Sequence, residues 1–118
     1  MPPRYPPVNE GIEWRSVPGS SNIMVSDQGL VWSIHYGRLL KQKLISKYYK
    51  VAISVDGQSD QLRKVHTLVA EAFVPRSCPH IFTVPDHKNR NMRDNRASNL
   101  RWSTAHLNAY NETNNRHG

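Results

Sequence analysis

Asp86 and His87 put a carboxylate and an imidazole side by side, and a dozen residues rich in Asn and Arg follow them. Asn99 comes twelve residues after His87, and Asn108 nine residues after Asn99. A carboxylate and a carboxamide oxygen are hard ligands, suited to Mg2+ or Mn2+ with waters and phosphate oxygens completing the shell. Asp86 and Asn108 are therefore the candidate ligands of one divalent cation. Neighbouring strand residues point to opposite sides, so His87 projects away from that cation, stays unligated and faces solvent. It is then available as a base for a water molecule. A cation for developing negative charge and a proton acceptor for the nucleophile are what phosphodiester hydrolysis requires. An ordinary histidine pKa of ~6.5 leaves most of the imidazole neutral at cellular pH. Eight of the ten asparagines lie from Asn89 onward. Asn89, Asn91 and Asn95 among them read as turn formers.

These residues need a frame. FTV is read as a brief strand running into Pro85 and Asp86-His87, and LRW after the polar loop as a second. Ser103 or Thr104 is the expected N-cap of a helix from Ala105 to Thr113, which carries Asn108 one turn in. Upstream, IEWRSV, NIMVS and LVWSI are short strand-like runs divided by the turn signals PGSS and DQG, with Gly19 and Gly29 assigned positive φ. YKVAISV alternates, with Tyr49, Val51, Ile53 and Val55 on one face, and turns at Asp56-Gly57 into QLRKV. HTLVAEAFV changes to helical period, with Leu68, Val69, Ala72 and Phe73 on one side and Pro75 as its stop. Trp14 and Trp32 are core candidates, Trp102 a filler between the last hairpin and helix, and His66 a structural histidine. The expected class is α+β. Residues 1–12 form a proline-rich extended arm, 13–75 a β-rich module with a short helix, and 76–118 a ββα unit.

Lys and Arg number 16 against 9 Asp and Glu, a net charge of +7 with a sequence pI near 9.9. The excess sits in two segments, 38–65 at +5 and 87–118 at +4, which suits a polyanion touching the chain in two places. Lys41, Lys43, Lys47 and Lys50 would line the solvent face of the central hairpin beside Tyr48. Lys88, Arg90, Arg93, Arg96 and Arg101 surround the proposed site as candidate phosphate contacts. The competing reading of both sets is an ordinary wet surface. A single cysteine, Cys78, excludes an intrachain disulfide and a paired Cys-x-x-Cys zinc site. No apolar run reaches membrane length and no signal segment follows Met1, so a soluble, cytoplasmic protein is expected.

Asp86-His87, Asn99 and Asn108 in this spacing resemble the His-Asn-Asn branch of the HNH nucleases, with the ββα-metal fold of phage and intron-encoded homing endonucleases. VHTLVAEAFVP (65–75) resembles the strand-helix that precedes the motif there, and EWRSVPGSSNIMVSDQGLVWS (13–33) resembles the nuclease-associated module that accompanies it. The resemblance implies that His87 is the general base and that Asp86 and Asn108 hold one metal at the scissile phosphate. It implies that Asn99 braces the loop and orients His87. It also implies double-stranded DNA as substrate and products with 5′-phosphate and 3′-hydroxyl ends. A single metal site per chain would cut one strand, so nicking is the expected activity of a monomer, and a homodimer could cut both. Two departures stand out. The loop between His87 and Asn99 has no glycine, and no C-terminal helix-turn-helix follows the nuclease helix. The alternative function is a non-catalytic DNA-binding regulator or packaging accessory on the same fold.

Overall fold

The computed structural model describes residues 2–108. Short strands joined by glycine-assisted turns build a first antiparallel sheet in simple order: β1 (Trp14–Ser16), β2 (Ile23–Ser26), β3 (Val31–Ser33) and β4 (Arg38–Leu39). Gly19 and Gly29 take φ of 84° and 86°, as their turn sequences require. A second sheet follows from β5 (Lys43–Ile45), β6 (Tyr48–Ile53) and β7 (Gln61–Lys64). The alternation in β6 buries Val51 and Ile53 and leaves Ala52 exposed. The β5–β6 connection is a two-residue turn in which Ser46 takes φ of 58°, a position with no glycine to announce it.

β7 runs straight into helix α1 (Val65–Phe73), which ends before Pro75. Its most buried residues are Val65, His66, Leu68, Val69 and Ala70, while Ala72 and Phe73 are only partly covered. Arg15 donates to the Ala72 carbonyl at 3.0 Å and stacks over Phe73, closing the helix end with a cation. The third sheet pairs β8 (Val84–His87) with β9 (Leu100–Ser103), and a 3₁₀ turn at Ala97–Asn99 leads into β9. Residues 105–108 are helical, and Thr104 Oγ1 accepts the Leu107 N–H at 3.1 Å, so Thr104 is the N-cap. The remainder of the expected helix, 109–113, lies outside the described residues.

One apolar cluster unites the parts. Val17, just after β1, and Ile23, Val25 and Val31 from the first sheet meet Val51 and Ile53 from the second, the apolar face of α1, and Leu100 from β9. α1 is the hub, packing on β2, β6, β7, β8 and β9. The class is α+β as expected, in a layout where all three sheets share that core.

Three local expectations change. β8 begins at Val84, so Phe82 and Thr83 are outside the strand. The proline-rich segment is tied to the first sheet: Arg4 N–H bonds the Ile34 carbonyl at 3.3 Å, and Trp32 Nε1 donates to the Arg4 carbonyl at 2.8 Å. Trp14 and Trp32 are half-buried and meet edge to face at 6.2 Å, outside the apolar cluster. An indole N–H needs an acceptor, and the arm supplies one for Trp32 at the edge of the core.

Candidate active site

Asp86 and His87 occupy the last two positions of β8 and are both buried, at 8% and 4% exposure. Their side chains take opposite faces of the two-stranded sheet. His87 faces the α1 side, and its ring lies 4.7 Å from that of His66. The expectation of a solvent-facing imidazole therefore needs correction, because the helix packs over the strand end. His66 stacks on Tyr48 at 5.0 Å, and Tyr48 lies 6.4 Å from His87 at a similar tilt. Three rings from β6, α1 and β8 thus form one wall.

His66 is held neutral. Burial pushes its pKa down to about 3 from an ordinary 6.5, with help from the charge on His87 when protonated and from Lys64. His66 Nδ1 is buried with no hydrogen-bond partner. Its sequence context suggested structure only, and nothing short of the fold puts it against His87.

His87 Nε2 lies 2.8 Å from Asn95 Oδ1. An amide oxygen only accepts, so Nε2 carries the proton and Nδ1 keeps its lone pair. That orientation was expected from Asn99, but the structure assigns it to Asn95, itself 6% exposed. Asn99 instead braces the loop. Its Oδ1 accepts the Asn89 N–H at 3.1 Å, and its Nδ2 donates to Asn89 Oδ1 and to the Asp94 carbonyl, both at 2.9 Å. Its carbonyl accepts the Lys88 N–H at 2.7 Å, directly beside His87.

The other amides complete the loop. Asn89 Oδ1 accepts from Asn91 N–H at 2.8 Å, and Asn91 Oδ1 from Arg93 N–H at 3.1 Å, both two-residue Asx turns. Asn89 Nδ2 donates to Asp94 at 3.0 Å. Where a glycine is missing, Arg90 itself takes φ of 63°.

Two arginines expected at phosphate are engaged within the chain. Arg101 sits opposite Asp86 in the β8–β9 register, and its Nε and Nη2 both reach Asp86 Oδ2 at 3.0 Å. Arg96 pairs with Asp94 at 2.7 Å, and its hydrogen bonds hold that carboxyl down to about 2. Lys88, Arg90 and Arg93 are exposed at the loop surface. Asn108 is half-buried on the last described turn, its N–H bonded to the Thr104 carbonyl at 2.9 Å.

A buried carboxylate needs a counter-charge, and the Arg101 guanidinium supplies one to Asp86. With a carboxamide as second oxygen donor, the Asp86/Asn108 set suits a hard divalent ion. Among the described residues, no group of three or more His, Cys, Asp or Glu gathers as a metal cluster. A set of one carboxylate and one amide would be of another kind.

The basic hairpin presents an ordered face. Lys43 lies directly opposite Lys50, and Lys50 directly opposite Lys64, so three ammonium groups share one row on the side that carries Tyr48. Lys47 and Lys64 place Nζ 5.6 and 4.5 Å from the Tyr48 ring centre. The row therefore leads to the His66/His87 wall. Lys41 is exposed in the connection before β5. Lys64 was not foreseen as part of this row, because only the strand register reveals it.

Residues 63–110 match the family model of HNH endonucleases. The chain is 36% identical over 94 residues to an HNH endonuclease of Acanthamoeba polyphaga mimivirus, covering 78% of this chain and 24% of that protein. It is 32% identical over 103 residues to the DNA endonuclease I-HmuI of Bacillus phage SP01, covering 86% of this chain and 58% of that one. The solved structure of I-HmuI, an HNH homing endonuclease described in terms of DNA binding and cleavage, matches with a TM-score of 0.75 at 30% identity. That match covers 87% of this chain and 59% of the other. The chain thus spans between about a quarter and three fifths of these relatives' lengths. Among the described residues, no helix is long and apolar enough to cross a membrane.

Proposed function

From the premise that the chain belongs to the HNH endonuclease family, we propose that it is a metal-dependent DNA endonuclease that nicks one strand of a duplex. The observation that carries this reading is the polarised imidazole: Asn95 fixes the Nε2 proton and leaves Nδ1 of His87 as the basic atom. In this role Nδ1 removes a proton from water as it attacks the phosphorus, and neutral His66 lets the resulting imidazolium form without a cation beside it. Asp86 and Asn108 would hold one Mg2+ or Mn2+, which neutralises charge at the scissile phosphate and its leaving oxygen. Asn99 keeps the loop behind His87 closed.

Duplex DNA is the substrate that fits the surface. Like charges directly across a sheet repel, so the Lys43–Lys50–Lys64 row calls for an anion. Phosphates along one strand would reach Lys41, Lys43, Lys47, Lys50 and Lys64 on the hairpin, and Lys88, Arg90 and Arg93 on the loop. Arg96 contributes through Asp94, and Arg101 through Asp86. With one base and one cation site per chain, a monomer opens one strand and a homodimer would be needed for both. The products carry 5′-phosphate and 3′-hydroxyl ends.

Supercoiled plasmid incubated with the full chain and Mg2+ or Mn2+ should convert to open circles, and conversion should stop with EDTA. His87→Ala should lower the rate ~1000-fold, within the usual range for losing a general base. Tight, salt-sensitive plasmid binding by the unaltered chain without conversion would support the non-catalytic regulator instead.

A further inference from the structure

The turn between β2 and β3 belongs to the N-terminal sheet, more than sixty residues from Asn95 in sequence, yet it packs against the residue that holds His87. A Cβ on Gly29 would lie 3.1 Å from both Asn95 Cβ and the Asn95 carbonyl oxygen. Gly29 also has φ of 86°, so a side chain there would be strained by the backbone conformation and would press on Asn95, which would have to give by a few tenths of an ångström. The same turn is tied to the loop by a hydrogen bond from Ala97 N–H to the Asp27 carbonyl at 2.8 Å.

The turn itself is held from three directions. Ser26 Oγ, fully buried, accepts the Gln28 and Leu30 N–H groups at 3.2 and 3.0 Å. Gln42 Nε2 donates to the Gly29 carbonyl at 2.8 Å. Asp27 exchanges two hydrogen bonds with the backbone of Glu13: its Oδ1 accepts the Glu13 N–H at 3.2 Å, and its own N–H donates to the Glu13 carbonyl at 3.0 Å. A braced turn pressed against Asn95 restricts where the amide oxygen can sit. That oxygen in turn decides which nitrogen of His87 bears the proton.

We propose that the Ser26–Gly29 turn is a positioning element for catalysis, with Gly29 and Asn95 as positioning residues that set the orientation and tautomer of the His87 ring. The N-terminal sheet then contributes to the site itself. It forms the rear wall of the site, which would make residues 13–33 necessary for turnover even on DNA held by other means. This rests on the reading of His87 as the base.

The test uses the full chain and three measurements: ring-nitrogen NMR of His87, the single-turnover nicking rate at saturating plasmid, and duplex affinity in EDTA. The unaltered chain should show the Nε2–H tautomer. Asn95→Ala should give mixed tautomers and a rate lower by ~100-fold, the usual scale for a reacting group displaced by about an ångström, with unchanged affinity. Asn95→Asp retains the acceptor and should restore the single tautomer. Gly29→Ala should shift the tautomer ratio and lower the rate by ~10-fold or more, again at unchanged affinity. Gly29→Asn, whose side chain tolerates positive φ, separates the clash with Asn95 from backbone strain and should act in the same direction. The proposal is overturned if both Gly29 variants keep the single tautomer and full rate, or if rate falls only in step with affinity. His87→Ala run in parallel isolates the underlying reading: if it nicks normally, His87 is not the base, while the tautomer data still report whether the turn governs the ring.

Discussion

Around Val25 and Leu68 the chain is fixed by side chains without a polar atom. Between His87 and Leu100, the loop is held by side-chain amides and carboxylates together with backbone hydrogen bonds. The first region is shape filling: five aliphatic residues of the first two sheets, with Val17 beside them, close on α1, and water is excluded without direction being specified. The second region specifies direction. Asn99 bonds Asn89 and Asp94, Asn89 bonds Asp94 in turn, and Asn95 points its oxygen at one ring nitrogen. Apolar packing is a tolerant way to hold a scaffold. A base that must present one lone pair to one water needs hydrogen bonds, whose geometry is narrow. The asparagine-rich stretch is therefore the scaffold of the site itself.

The contrast predicts different failures. Leu68→Ala removes a fully buried side chain from the hub helix and should cost about 3 kcal/mol of stability, read by denaturant unfolding. The variant that remains folded should nick DNA at close to the normal rate per folded molecule. Asn99→Ala should cost less, about 2 kcal/mol for three side-chain hydrogen bonds net of solvation, yet should reduce nicking far more than Leu68→Ala does. If both variants lose rate only in proportion to stability, the division between the two regions fails.

How much of this was open to a reader of the sequence follows the same line. Alternation in Tyr48–Ile53, the glycine turns at 19 and 29, and the α1 period are all short-range patterns, and each led to the right element. Asp86, His87, Asn99 and Asn108 stood out by type and spacing. What spacing cannot give is which amide meets which group. Asn95 and Asn99 are chemically the same, and only the loop path, with Arg90 at positive φ and the 3₁₀ turn at Ala97–Asn99, sends one to the imidazole and the other to the loop backbone. The partners of Arg96 and Arg101 were hidden for a similar reason. A cross-strand register decides that Arg101 faces Asp86. The His66–His87 contact depends on how α1 lies over β8, which no local pattern encodes.

His66 gives the smallest and most specific effect. Its folded-state pKa is depressed to about 3, below the 6.5 expected of an unfolded chain. The unfolded state therefore takes up the proton first, and the stability associated with neutral His66 is complete above pH 6.5 and drains as pH falls toward 3. Between pH 6.5 and pH 5 this should amount to a loss of about 2 kcal/mol at most, by denaturant unfolding. His66→Phe, which keeps an aromatic ring against Tyr48 without a titrating group, should flatten that part of the profile. An unchanged profile in the variant would mean that another group drives the acid sensitivity.

The division of labour between neighbours at the end of β8 can be tested without any cleavage assay. Mn2+ titrated into the full chain with duplex DNA and followed by electron paramagnetic resonance should show one bound ion per chain. Asp86→Ala and Asn108→Ala should each abolish that binding, while His87→Ala should retain it in full. Binding that survives loss of Asp86, or that disappears with His87, would contradict a cation held by carboxylate and carboxamide beside an imidazole reserved for the proton.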